Sequence, residues 1–171
     1  IGEYVDPNLL GQRVAVEIIG HGRACTKCWY CRQGQFKLCT DMAPPEAGGF
    51  AEYMKRKAIG CYPVPDSLSW EEAAMVEPLA VSIHGIRRGD MKGGEVVAVL
   101  GSGTIGLTAI AAARALGAGK VFSTARYEQQ ATLAKKLGAD DALPDDGTAF
   151  WDAIAEATDG RGADVTIETV G

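Results

Sequence analysis

The 171-residue sequence contains no apolar run that approaches the length of a helical membrane span. It also lacks a surplus of positive charge. Lys and Arg total 17 against 22 Asp and Glu, a net charge of −5. That balance argues against nucleic acid or an anionic membrane surface as a partner. There is no internal repeat and no low-complexity tract. Ile1 to Leu10 mixes charge, proline and glycine, so it does not read as a secretory signal, and there is no initiator methionine. Histidine is scarce, at two residues. His21 sits between two glycines with no partner at ligand spacing and reads as a solvated loop residue. His84 falls in a mainly apolar segment and reads as a core histidine. What remains is the composition of a soluble globular protein, 47% apolar and 23% charged, expected in the cytoplasm.

Glycine, by contrast, is abundant at 22 residues, and its placement is informative. Val96-Val97-Ala98-Val99-Leu100 is a continuous apolar run, as expected of a parallel strand buried on both faces. Gly101-Ser102-Gly103-Thr104-Ile105-Gly106 follows at once in G-x-G-x-x-G spacing, and an alanine-rich helical pattern runs on to Leu116, stopped by Gly117. Gly101 permits the tight turn out of the strand. Gly103 lets a pyrophosphate approach the backbone, and Gly106 lets the helix lie close on the sheet. The helix start offers free N–H groups and a positive dipole end to phosphate. Strand, glycine loop and helix together predict a dinucleotide site.

Downstream the pattern stays α/β. Val121 to Thr124 reads as a second strand, Glu128 to Leu137 as a helix, Ala142-Leu143 as a short third strand, and Phe150 to Ala157 as a further helix. Alternation of this kind predicts a doubly wound parallel sheet.

The second concentrated signal is Cys25, Cys28, Cys31 and Cys39, in C-x2-C-x2-C-x7-C spacing. Four thiolates this close can close a tetrahedral shell around one ion, the structural type of zinc site. Disulfides would suit a secreted protein. The ferredoxin run has a shorter last gap and a proline after its fourth cysteine, where this chain has Thr40. Unligated core thiols would not be so regularly spaced on a polar loop. Cys61, the fifth cysteine, reads as a packed thiol.

Elsewhere, Val14 to Ile19 and Gly49 to Met54 read as strands, with Pro44-Pro45 as breakers between the cysteines and the second of them. Ser69 with Glu72 fits a capping box. Pro78 suits the first turn of a helix, with Glu77 just before that helix. Arg87 and Arg88 read as solvated or anion-binding.

The order of these pieces is distinctive: a four-cysteine lobe, Gly49-Phe50-Ala51-Glu52-Tyr53, Glu77-Pro78-Leu79-Ala80-Val81, then the glycine loop. It resembles the zinc-dependent medium-chain alcohol dehydrogenases, in the polyol branch that includes sorbitol, threonine and butanediol dehydrogenases. The resemblance implies part of a GroES-like catalytic domain over residues 1–78 and an incomplete Rossmann domain over 79–171. It implies a structural zinc on Cys25, Cys28, Cys31 and Cys39. It also places Glu77 at the catalytic zinc, as a ligand or near-ligand. The family's catalytic cysteine and Gly-His-Glu motif have no counterpart here, since His21 falls too close to the cysteine lobe. Val165 to Gly171 resembles the fourth strand of the family's Rossmann sheet and its following turn, and the last two strands are missing. The chain is therefore expected to be a central fragment or a truncated relative, inactive by itself, with a catalytic zinc only in a full-length protein. A dimer or tetramer is expected, acting on a small alcohol or ketone. Rival readings are a non-catalytic nucleotide-binding protein with a zinc lobe, and a zinc-independent quinone or enone reductase.

Within that resemblance the cofactor is expected to be NADP(H) rather than NAD(H). The carboxylate that binds the ribose 2′-hydroxyl of NAD stands about 20 residues past the glycine loop. That place falls at Ala125, which is small and neutral, and Arg126 follows with a fork suited to phosphate oxygens.

Overall fold

The computed structural model describes residues 1–17, 20, 22–44 and 48–171. Contacts divide the chain into two compact units, Ile1–Glu77 and Pro78–Gly171.

In the first unit, β1 (Val14–Val16) pairs antiparallel with β2 (Cys61–Pro63), Val14 opposite Pro63 and Val16 opposite Cys61. Between them the chain forms the cysteine lobe, with one helical turn, α1 (Trp29–Arg32), and a 3₁₀ turn at Phe36–Leu38. The expected strand over 49–54 does not form: this segment is bent, and Phe50 and Tyr53 are fully exposed. Its apolar alternation meets no partner strand among the described residues, and an unpaired strand leaves its backbone groups to water. Ile18 and Ile19, the end of the first expected strand, lie outside the described residues, as does His21. The capping box forms as read: the Glu72 N–H donates to Ser69 Oγ at 3.1 Å and the Ser69 N–H to Glu72 Oε2 at 2.7 Å. It starts α2 (Trp70–Ala74). Arg13 braces this start, donating to the Leu68 carbonyl at 2.7 Å and lying 4.1 Å over the Trp70 ring.

Helix α3 (Val76–Arg88) begins two residues earlier than expected. Pro78 therefore stands at its third position, where its missing N–H is still one that the helix leaves unpaired. Glu77 lies inside the first turn rather than before it, exposed to solvent. His84 is exposed as well, not buried in the core. The buried face of α3 is carried by Ser82 and Ile86.

The second unit is a four-stranded parallel sheet in the order β5-β4-β3-β6. Its strands are β3 (Val96–Leu100), β4 (Lys120–Thr124), β5 (Asp141–Leu143) and β6 (Val165–Glu168). The connecting helices are α4 (Thr104–Ala115), α5 (Glu128–Lys136) and α6 (Ala149–Ala157). The sequence of β3 explains the layers. Val97 and Val99 join Ile110, Ala113, Val121 and Ala134 in one apolar cluster, on the face carrying α4 and α5. Val96 and Ala98 join Phe122, Phe150 and Ile154 in a second, on the face carrying α6. Both faces of β3 are thus covered, which is why it reads as a continuous apolar run. The chain steps outward from β3 to β4 to β5, then crosses back to place β6 on the other side of β3. The strand order reverses between β3 and β6, and in such sheets ligands bind at the carboxyl ends beside the reversal.

Candidate nucleotide cleft and metal centre

At that place a cleft of about 490 Å³ opens, lined by Gly101, Ser102 and Gly103 among others. Gly101 leaves β3 with φ +98°, a left-handed conformation that favours glycine. Gly106, in the first turn of α4, is pressed against the same turn: a Cβ there would lie 2.0 Å from the Gly101 carbonyl oxygen. Close packing of helix on loop accounts for Gly106, and the left-handed turn for Gly101. Gly103 differs. A Cβ on it would meet no protein atom within 4 Å. The space beside its backbone is left open at the start of α4, where Thr104, Ile105 and Gly106 have no preceding turn to accept their N–H groups. An anionic group close to the backbone suits that cradle.

The loop is fixed from both sides. Thr124 Oγ1, at the end of β4, accepts the Gly101 N–H at 2.7 Å, and Ser102 Oγ donates to the Thr124 carbonyl at 2.7 Å. Thr169 Oγ1, just past β6, donates to the Leu100 carbonyl at 2.7 Å. Ser102 is 3% exposed, and its hydroxyl is taken up by the loop bond to Thr124. Thr124 and Thr169 were not singled out in the sequence; a β-branched hydroxyl at a strand end is too common to be a signal.

Ala125 directly follows β4 and is buried, its N–H donating to the Leu143 carbonyl at 2.7 Å. It lines a neighbouring hollow of about 350 Å³ rather than the glycine cleft. Arg126 lines both spaces. The backbone N–H groups of Arg126 and Tyr127 donate to Gln130 Oε1 at 3.2 and 3.3 Å, fixing where the arginine side chain starts. Its guanidinium lies 3.4 Å from Asp145 Oδ2. Phe150 and Trp151 add apolar wall to the cleft.

The four cysteines come together as the spacing predicts. One sulfur from each of Cys25, Cys28, Cys31 and Cys39 lies within 4.8 Å of all the others. Thr26 takes φ +61°, a left-handed turn unusual for a β-branched residue. Just after it, the Lys27 and Cys28 N–H groups donate to Cys25 Sγ at 3.4 and 3.3 Å, and the Cys25 N–H donates to Cys39 Sγ at 3.3 Å. Backbone donors of this kind favour thiolate. The N–H groups of Lys27 and Cys28 hold Cys25 below the ordinary thiol range, and that of Cys31, with Thr40, brings Cys28 down to about 6. Burial, with the neighbouring thiols, pushes Cys31 up to about 12. Four sulfurs within 4.8 Å of one another, with amide donors around them, fit a divalent soft-ligand ion such as zinc. Cys61 stands apart in β2, half-buried, its thiol 3.6 Å from the Lys57 carbonyl. Glu77 gathers no such group: among the described residues, the four-cysteine cluster is where three or more candidate metal ligands meet. One carboxylate does not make a catalytic metal site, which needs three protein ligands.

Comparison with known proteins agrees with both features. Residues 1–66 match the model of the alcohol dehydrogenase GroES-like domain, and residues 104–171 that of the zinc-binding dehydrogenases. The chain is 38% identical to a sorbitol dehydrogenase of Bacillus subtilis, over all of its own length and 49% of that protein. Among solved structures, 2R,3R-butanediol dehydrogenase of Bacillus subtilis superposes with a TM-score of 0.82 at 34% identity, over the whole chain and 48% of that one. A structure described as a short chain alcohol dehydrogenase from Escherichia coli CFT073, complexed with NADH, gives 0.84 at 27% identity, over the whole chain and 50% of that one. The chain spans about half the length of the curated relatives it matches. With a GroES-like match, a four-cysteine cluster and a glycine-loop sheet following one another in this order, the chain belongs to the zinc-dependent medium-chain alcohol dehydrogenase family, and sorbitol dehydrogenase is among its relatives.

Proposed function

We propose that this chain is part of an oxidoreductase that moves hydride between NADP(H) and a secondary alcohol or polyol, or the matching ketone. The polyol class is suggested by the sorbitol, idonate and butanediol dehydrogenases among its relatives. The observation that carries the cofactor reading is the end of β4, where Ala125 stands in place of a carboxylate and Arg126 reaches the cleft. When bound, the nicotinamide cofactor supplies the hydride chemistry. The chain's own residues hold it: the backbone from Gly101 to Gly106 cradles the pyrophosphate, with Ser102, Thr104 and Ile105 acting through their N–H groups. Ala125 leaves room at the ribose, and Arg126 binds the 2′-phosphate.

Cys25, Cys28, Cys31 and Cys39 would hold a structural zinc, which orders the lobe and has no open position for substrate. The resemblance assigns Glu77 to the catalytic zinc; no step is derived through that ion, because the described residues do not build its site. We assign residues 1–78 to the GroES-like part and 79–171 to the Rossmann part. The division of contacts at Glu77 supports a boundary there. A dimer or tetramer and a cytoplasmic location complete the reading.

Its test is a titration of NADPH and NADH into the wild-type chain and Arg126→Ala. Charge-assisted contacts contribute about 1.5–3 kcal/mol. The variant should therefore lose roughly tenfold to a hundredfold in NADPH affinity and almost none for NADH. Equal losses for both would remove Arg126 from the 2′-phosphate site. Polyol oxidation by the full-length protein, with NADP and NAD compared, tests the reaction itself.

A further inference from the structure

Among the described residues, the carboxylate bonded to the Arg126 guanidinium comes from a different loop. Asp145 follows β5 and Pro144, and its Oδ2 lies 3.4 Å from Arg126 Nη2. Both residues line the glycine cleft and the adjoining hollow, so the pair stands inside the space read here as the nucleotide site. Their side chains are 69% and 47% exposed, and the contact is long and single. Asp146 and Glu128 line the same hollow and add negative charge around the arginine.

We propose that Asp145 sets the strength of the cofactor preference by competing with the 2′-phosphate for the Arg126 guanidinium. The inference rests on the NADP(H) reading above. A guanidinium offers five donors in a planar fork, and a phosphate can take two at once. Asp145 occupies one of them and presents a like charge to the incoming phosphate. The 2′-phosphate must displace that carboxylate, whereas a nucleotide without the phosphate leaves the pair untouched. Arg126 is thereby held ready at the cleft, at the cost of a weaker grip on the phosphate than it would otherwise have. The pair is exposed, so the effect is modest, since such pairs contribute little individually.

The test uses adenosine 2′,5′-bisphosphate and 5′-AMP as probes, which separate the 2′-phosphate from the rest of the dinucleotide. Each is titrated calorimetrically into the full chain as wild type, Asp145→Asn, Arg126→Ala and the double variant. Asp145→Asn should bind the bisphosphate about two- to fivefold more tightly and 5′-AMP unchanged. In the Arg126→Ala background that gain should vanish. If Asp145→Asn leaves the bisphosphate unchanged or weakens it while Arg126→Ala still costs affinity, the competition is refuted and the NADP(H) reading stands. If Asp145→Asn weakens 5′-AMP too, Asp145 is a ribose ligand and the competition is again refuted. If the wild type binds both probes equally and Arg126→Ala changes neither, the NADP(H) reading falls and the competition with it. Unchanged 5′-AMP affinity in Arg126→Ala shows that this variant is folded.

Discussion

The two halves of the chain hold themselves together in different ways. Before Glu77, the buried apolar residues among those described are Ala24, Cys31 and Val64; every other one lies in the second unit, spread over both faces of its sheet. The sheet unit has a core of its own. The cysteine unit has a three-residue-a-side ribbon, a few braces such as Arg13, and four clustered sulfurs. An apolar core tolerates the loss of a ligand; a lobe organised around four thiolates does not. Metal should therefore matter greatly to one unit and little to the other.

The largest effect expected from breaking this contrast is Cys28→Ser. Structural zinc in small lobes is worth about 10–16 kcal/mol of apparent folding energy. The variant should lose its single equivalent of zinc by elemental analysis. Amide resonances of residues 22–44 should collapse toward random-coil positions while those of 96–124 stay in place. Iron in the wild type, or no metal in a folded reduced sample, would refute the zinc assignment. Next comes Gly106→Ala. Its added methyl would sit against the Gly101 carbonyl, and overpacking of this kind typically costs about 1–3 kcal/mol or more. Urea unfolding should register a loss at the upper end, together with weakened nucleotide binding and unchanged zinc content. Gly103→Ala should instead leave stability nearly unchanged and weaken nucleotide alone, because its Cβ meets only open space. Thr124→Val, nearly isosteric, leaves the Gly101 N–H without its acceptor. A drop in stability of about 1–3 kcal/mol is expected, again with zinc retained.

The contrast also explains what was legible in the sequence. Backbone demands are local. The tight turn at Gly101 and the close packing at Gly106 were readable from spacing, because the turn and the helix start involve only neighbours. The cysteines were legible for the same reason, since one ion gathers ligands within a short loop. Strand β3 announced itself because burial on both faces forbids polar residues. The segment 49–54 was misread because alternation reports a strand only where a partner is present. His84 was misplaced since helical position depends on which face meets the sheet, and here Ser82 and Ile86 face inward. Thr124, Thr169 and Asp145 were not readable at all. Each acts on a residue at least 19 positions away, and only the strand order brings them together.

The reading of the glycine cleft as an NADP(H) site is tested most directly by one calorimetric comparison of NADPH with NADH on the wild-type chain, repeated after zinc removal. NADPH should bind roughly tenfold or more tightly than NADH, and chelation should change neither affinity by much. Equal affinities, or tighter NADH, would contradict the assignment of Ala125 and Arg126; loss of both on chelation would contradict the independence of the two units.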